Sequence, residues 1–469
     1  MKRKFLVSII CLGLFSSCEK LLEINPKQSI DSSIALTSTE GISAALTSVY
    51  ARLQHYTLYG RDYLALAEAL SDNMIHTDNS SHLRPEATNT RNAHLSGWQM
   101  GYYAINQANL IIDALNNGTY ESSWKANTLG QAYFLRALCY HDLMRTYAYD
   151  PTAIVDAYNY GGVPLMLVGV DDVGKIAALE RPTLEKVYDQ IYADLDLAHT
   201  NLTSSNSSSV HLATKAAVSA LYARVALYKG DYGKTVEMAT QALGETNAVF
   251  SNQANFLADW RKEVHPESIF ELKFNISENI GSDRSLRSTY TSRATYDATS
   301  FSIQAVLAVD PTFYTSYSND DVRRGLIRSG VGKNERFLEN YKFISKSGTL
   351  GLDNVPILRL SELYLNRAEA LARQSTPDAN AAMQDLNKIR NRAGLPSVTL
   401  TGESLINEIM LQRRLELAFE GHRWFDLKRT GKDIVKVSGN IAFTDYRILA
   451  PIPIRETIAD PRLKQNFNY

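Results

Sequence analysis

The segment Gln412-Arg-Arg-Leu-Glu-Leu-Ala-Phe-Glu-Gly-His-Arg-Trp-Phe-Asp-Leu-Lys-Arg-Thr-Gly431 is the densest polar cluster of the chain. Residues 403–420 carry helical spacing. Gly421 suits the position just past a helix end, where a left-handed backbone is needed. On that helix Glu416 and Glu420 share a face, and Arg413 stands three residues before Glu416, within ion-pair reach. Arg423 and Asp426 follow the glycine beside Trp424 and Phe425 and can clamp the helix ends. Such a cluster can read a ligand, or it can form a partly buried ionic network that locks helices together. The second role is the expectation.

Working outward, helical periodicity dominates. Residues 357–373 and 377–392 form one hairpin, closed by Gly394-Leu-Pro396. Residues 211–243 form another and resemble a tetratricopeptide unit: Gly230 turns it, Tyr232 plugs it and small alanines let two helices approach, although Thr235 stands where that pattern wants Ala. Helix pairs of this kind stack to bury faces that one pair cannot bury alone. Amphipathic runs cover residues 41–53, 62–74, 97–115 and 125–147. The third carries Trp98, Tyr102, Ile105 and Ile112 on one side, and the fourth Leu129, Ala132, Tyr133, Arg136 and Tyr140. Gly161-Gly-Val-Pro164 breaks the pattern. Near Pro182, Thr183 or Arg181 restarts it as an N-cap with Glu185 close by, and a Ser-rich loop at 204–209 ends that helix.

Between residues 252 and 351 the character changes. Phe270, Leu272 and Phe274 alternate with Ile269, Glu271 and Lys273, and Phe337, Glu339, Tyr341 and Phe343 repeat likewise, which is strand period. The polar, aromatic stretch 282–301 lies between them and carries Tyr290 and Tyr296. The expected fold is mainly α: tetratricopeptide-like helical hairpins forming a right-handed scaffold (residues 41–251 and 352–469), with a loop-rich, strand-containing region at 252–351. Binding sites usually sit on such loops.

The N-terminus reads as an export signal. Lys2, Arg3 and Lys4 precede an apolar run from Phe5 to Phe15 that is too short to span a bilayer, and Ser16-Ser17-Cys18 resembles a bacterial lipobox with Phe15 where Leu is usual. Residues 1–17 are the expected signal peptide, Cys18 the lipidated first residue, and 18–40 a tether to a single domain at 41–469. Several acyl chains on one residue supply the stable anchoring that one chain does not. With Cys11 in the signal and Cys18 acylated, Cys139 is the one remaining thiol, so no internal disulfide is available. Cys139 sits on the apolar side of a helix and is expected to be a small buried hydrophobe.

The formal charge is −1, and removing the three basic residues of the signal takes it to −4. No basic run remains, which argues against nucleic acid as a partner. The 26 tyrosines against 15 phenylalanines suit a surface that grips polar ligands, and plain packing equally. None of the nine histidines stands in a metal-ligand spacing and no cysteine pair suits zinc, so neither metal nor cofactor is expected. There is no Gly-x-Ser-x-Gly elbow and no phosphate loop. Carboxylates are too numerous for a glycosidase pair to be singled out. No catalytic residue is assigned.

The 413–431 run closely resembles the C-terminal motif of the SusD/RagB family of Bacteroidetes, outer-membrane lipoproteins encoded beside SusC-like TonB-dependent transporters. Ala132-Tyr-Phe-Leu-Arg-Ala-Leu-Cys-Tyr-His-Asp-Leu143 and Tyr160-Gly-Gly-Val-Pro-Leu165 are similar to its N-terminal half. Arg359-Leu-Ser-Glu-Leu-Tyr-Leu-Asn-Arg-Ala-Glu-Ala370, Leu386-Asn-Lys-Ile-Arg-Asn-Arg-Ala-Gly-Leu395, Tyr446-Arg-Ile-Leu-Ala-Pro-Ile-Pro-Ile-Arg-Glu456 and the ending Gln465-Asn-Phe-Asn-Tyr469 match it further, in order. The resemblance implies a non-enzymatic, lipid-anchored protein on the outer membrane. Such a protein captures a glycan, or in some relatives a peptide or other nutrient, and delivers it to the transporter. Ala67-Glu-Ala-Leu-Ser-Asp-Asn73 resembles the motif whose Asp lies near the family's site, which points to Asp72 and Asn73, and Trp98 is an aromatic at a position some relatives use for stacking. Sugar rings pack their C–H faces on aromatic side chains. Tyr290 and Tyr296 are added on loop composition, with His82, Arg84 and Arg91 behind them. Trp98 also fits as a core residue pinning its helix. If Trp98 and Tyr296 hold ligand, removing both rings weakens capture without unfolding the protein. A lipid-anchored glycan hydrolase and a scaffold binding only protein partners are the competing readings.

Overall fold

The computed structural model describes residues 36–202, 209–303, 305–346 and 348–469. The signal segment, Cys18, most of the tether and most of the Ser-rich loop lie outside the described residues. Eleven helices matter for the argument: α1 (Thr39–Leu53), α2 (Asp62–Leu70), α3 (Trp98–Asn117), α4 (Ser122–Tyr147), α5 (Leu184–Asn201), α6 (Lys215–Lys229), α7 (Tyr232–Glu245), α8 (Leu360–Arg373), α9 (Ala379–Arg392), α10 (Gly402–Glu416) and α11 (Arg423–Arg429). The fold is mainly α, as the periodicity requires.

Capping sets several helix starts. Ser38 accepts from Gly41 N ahead of α1, Thr183 from Lys186 N ahead of α5, and Thr214 from Ala217 N ahead of α6. The α6–α7 hairpin turns at Gly230, whose φ of 82° is a left-handed conformation that favours glycine, and Asp231 then caps α7. Helix α6 is buried from Ala216 to Tyr228, and α4 from Thr128 to Tyr147. These two are central helices, so Cys139 is enclosed and burial pushes its thiol up. One hydrophobic core runs from Ile42 in α1 to Leu463 near the C-terminus, and a second cluster joins α8, α9 and α10 through Ala368, Leu386 and Ile409.

Six short strands form three antiparallel ribbons among the described residues: β1 (Met74–His76) with β3 (Leu307–Val309), β2 (Ser268–Leu272) with β6 (Val355–Arg359), and β4 (Ile327–Ser329) with β5 (Leu338–Asn340). Three sequence expectations change here. The second helix stops at Leu70, because Met74–His76 pairs with Leu307–Val309 instead. The hairpin expected from residue 357 begins at Leu360, since Val355–Arg359 is taken by the ribbon with β2. Strand β2 is buried on both faces, so its alternation does not mark a solvated side: Glu271 is enclosed and accepts from Ser268 Oγ at 2.5 Å.

A fourth change concerns the helix expected over 403–420. Helix α10 ends at Glu416, and Phe419 adopts a φ of 69° before Gly421 at 80°. A Cβ at Gly421 would lie 2.0 Å from Tyr63 O, so only glycine lets this turn lie against α2. Glu420 is therefore off the helix, and Arg413 pairs with Asp426 at 2.7 Å rather than with Glu416. Glu416 instead meets Arg392 at 2.5 Å, Arg359 at 2.8 Å and Arg323 at 3.4 Å. Glu420 binds Lys342 at 2.6 Å and Arg359 at 2.7 Å, while Arg429 bridges Asp426 at 2.8 Å and Glu369 at 2.7 Å. Burial alone would push the Glu416 carboxyl up. The guanidinium groups of Arg392, Arg359 and Arg323 overcome it and hold the carboxyl well below the usual range. This network is buried except at the margin of Glu420 and ties the loop-rich region to α8, α9, α10 and α11.

Candidate functional site

The Asp72 segment lies between α2, whose nine residues are all buried, and β1. Asp72 accepts a bidentate pair from Arg423, Nε at 2.7 Å and Nη2 at 2.8 Å, and Arg414 approaches it at 3.2 Å. Burial works against this carboxylate, but the Arg423 hydrogen bonds and the charges of Arg423 and Arg414 hold it below its ordinary range. Asn73 is wholly buried: Arg414 Nε donates to its Oδ1 at 2.8 Å, and its Nδ2 donates to Glu68 at 2.7 Å. The two residues form a clasp between α2 and the 413–431 segment, and their polar atoms are already engaged by protein.

Beside the clasp, residues 434–441 form a strap with an inverted pattern. Lys436 points inward and donates to Ala69 O at 2.5 Å, Ala87 O at 2.7 Å and Asn89 Oδ1 at 2.9 Å, while Val435 and Val437 face solvent at 65% and 87% exposure. Burial pushes the Lys436 ammonium down to about 7.

Two of the expected aromatic contacts belong to the core. Trp98 is 4% exposed and packs on the edge of Tyr147 at 4.9 Å, with its backbone N–H donating to Tyr147 Oη at 3.1 Å. It pins the start of α3 and offers no open face. Tyr290 has no exposed surface. Its ring lies 6.3 Å from Phe419 and its hydroxyl donates to Phe419 O at 3.4 Å. The short helix Leu286–Tyr290 turns that side chain inward, against its expected place on a ligand surface. His82, Arg84 and Arg91 are exposed, and Arg84 pairs with Asp78 while Arg91 Nη2 donates to Asn468 O. The structure does not bring the five expected ligand residues into one site.

Tyr296 is different. It is half-buried in the loop-rich region, with Arg261 Cζ 3.4 Å and Arg328 Cζ 4.9 Å from its ring centre. Its ring meets that of buried Tyr341 edge-on at 5.9 Å and 83°. Arg293 braces the loop: its Nε donates to Tyr341 Oη at 2.8 Å and its Nη1 to Ala298 O at 2.5 Å. Arg293 also forms an isolated bridge with Phe301, which is 42% exposed at the far end of the same loop. Further along the region, a cavity of about 230 Å³ opens over Phe274 and Leu352, with Lys273, Asn275, Lys346 and Asn354 on its walls. Sequence reading missed Arg261 and Arg328, because Tyr296 lies more than thirty residues from each of them in the chain, and it gave Phe301 only as the end of the 282–301 stretch.

Arg261 already covers one face of Tyr296, so what the arrangement offers a polyhydroxylated ligand is apolar contact at Phe301 and the exposed part of the Tyr296 ring, with guanidinium donors beside them. Among the described residues no group of His, Cys, Asp and Glu is placed to hold a metal ion. Burial lowers His94 to about 3 and depresses His141, His265 and His422 well below the ordinary range. No helix among the described residues is long and apolar enough to cross a membrane.

Two family models match this chain: "SusD family" over residues 326–469 and "Starch-binding associating with outer membrane" over residues 20–227. Two SusD-like proteins of Formosa agariphila are each 26% identical to it. One alignment covers 98% of this chain and 97% of the relative, the other 99% of both. A SusD superfamily protein of Bacteroides thetaiotaomicron VPI-5482 superimposes with a TM-score of 0.79 at 25% identity, covering 91% of this chain and 98% of that one. A laminarin binding SusD-like protein shares the fold, with a TM-score of 0.75 at 22% identity over 91% of this chain and 99% of that one. The helical scaffold, the 413–431 motif and matches at both ends of the chain together make this protein a member of the SusD-like family.

Proposed function

We propose that this protein is a cell-surface lipoprotein that captures a glycan, an oligo- or polysaccharide, and passes it to a SusC-like TonB-dependent transporter. Cys18 is the lipidated residue, residues 1–17 are the signal removed before anchoring, and the mature chain is a single tethered domain without catalytic activity. The observation that carries the reading is membership of a carbohydrate-binding family whose N-terminal model is described as starch-binding at the outer membrane. A relative of the same fold described as laminarin binding supports a glycan over a peptide. Tyr296, with Phe301 at the end of its loop, is the aromatic contact we assign to the sugar. Asp72, Asn73, Trp98 and Tyr290 hold the scaffold around it.

Calorimetric titration of the purified protein with a panel of oligosaccharides tests this. Saturable binding without a cleaved product is expected, whereas steady release of shorter sugars would make the protein a hydrolase. Co-purification with a transporter but with no affinity for any saccharide would make it a scaffold. Radiolabelled fatty acid should appear on the wild-type protein and be absent from Cys18→Ser.

A further inference from the structure

Two arginines of the loop-rich region are held unlike those of the 413–431 segment. In the 413–431 segment Arg413, Arg414, Arg423 and Arg429 each meet a carboxylate. Arg261 and Arg328, both exposed, meet none among the described residues, and neither guanidinium donates a hydrogen bond to a described protein atom. What places them is the Tyr296 ring, which Arg261 touches at van der Waals distance. A cation held by an aromatic face keeps its N–H groups directed outward, and a guanidinium offers five of them in a fork that matches carboxylate and sulfate oxygens. Two such exposed cations against one ring concentrate positive charge that a bound anion can neutralise. The Glu339 carboxylate does not supply it: it is wholly buried beneath Tyr341 and forms no ion pair with either guanidinium, its Oε2 accepting instead from Thr291 Oγ1 at 3.1 Å, Ser292 N at 2.8 Å and Ser292 Oγ at 3.0 Å.

We propose that the saccharide bound at Tyr296 is an acidic one, whose carboxylate or sulfate group is taken by the guanidinium groups of Arg261 and Arg328. The proposal rests on the glycan-binding reading and narrows it. Tyr296 and Phe301 supply apolar contact for the sugar rings, and Arg293 is a positioning residue that keeps their loop in place.

The test uses the full mature chain and three probes of matched length: a neutral gluco-oligosaccharide, an oligogalacturonate and a sulfated galacto-oligosaccharide. One or both acidic probes should bind, and more weakly as salt rises; which of them binds separates carboxylate from sulfate. Arg261→Gln combined with Arg328→Gln should weaken that binding roughly ten- to a hundredfold. Arg455→Gln, which removes the same charge from an exposed site elsewhere, should leave it unchanged. Equal thermal melting of all variants guards against loss through unfolding. Binding of the neutral probe alone, or acidic binding that the double variant leaves intact, overturns the acidic subsite while glycan capture stands. Absence of binding to all three removes both readings.

Discussion

The arginines of the 413–431 segment and those around Tyr296 are chemically the same side chain put to opposite uses. Arg413 and Arg429 are enclosed, each with a carboxylate partner, and through Asn366 and Glu369 they tie α10 and α11 to α8, distant in sequence. Arg261 and Arg328 lie on the surface against an aromatic ring with their donors unspent. A buried charge must be paired where it sits, so its partner comes from the protein. An exposed, pre-positioned charge costs little to leave open, so its partner can come from outside. The difference separates a lock from a reading surface.

Breaking the lock has the largest expected effect. Glu416→Gln leaves Arg359, Arg392 and Arg323 short of a charge they share, and should cost about 3–5 kcal/mol of unfolding free energy by denaturant titration. A loss below about 1 kcal/mol would place the network among weakly coupled surface pairs. Trp98→Ala should cost a similar amount, about 3–5 kcal/mol, by opening a cavity against Tyr147. Direct loss of ligand contact in a fully stable Trp98 variant would return that ring to the binding surface.

Acid titration sharpens the same contrast. Burial opposes ionisation of Glu369, but Arg429 foremost, with Arg373 and Arg413, holds its carboxyl down to about 2 from an ordinary 4.5. Its folded-state value is depressed, so its contribution is complete above pH 4.5 and is lost as pH falls towards 2. The stability gap between wild type and Glu369→Gln should therefore include about 3 kcal/mol near neutrality and close through that window. A gap that stays constant with pH would contradict the assignment. Asp72→Asn removes the anion from a clasp at the edge of the network and should cost about 1–2 kcal/mol, with saccharide affinity unchanged. The smallest stability effect belongs to Tyr296→Ala, less than about 1 kcal/mol, because that ring is half-exposed.

The lock was far more legible in the sequence than the reading surface. Hairpin α6–α7 could be read from alanine spacing and Gly230, and the cap at Thr183 from the residues beside Pro182, because these signals are local. The ends of elements slipped where a distant partner competes: β6 takes residues 357–359 from the expected helix only because β2 is there to pair. The break at Glu416 was misplaced for a related reason. Phe419 adopts a left-handed conformation so that Gly421 can lie against Tyr63, a contact made across the whole chain. Among the ligand candidates, composition could not tell Tyr290 from Tyr296. One helical turn, Leu286–Tyr290, points the first inward, and the second depends on Arg261 and Arg328, each more than thirty residues away.

The central claim is that Tyr296, and not the clasp at Asp72 or the core ring of Trp98, meets the saccharide. Calorimetric titration of wild type and Tyr296→Ala with the same bound oligosaccharide, at matched thermal stability, tests it most directly. Affinity should fall about tenfold or more in the variant. An unchanged dissociation constant in a folded Tyr296→Ala protein would show that the ligand surface lies elsewhere.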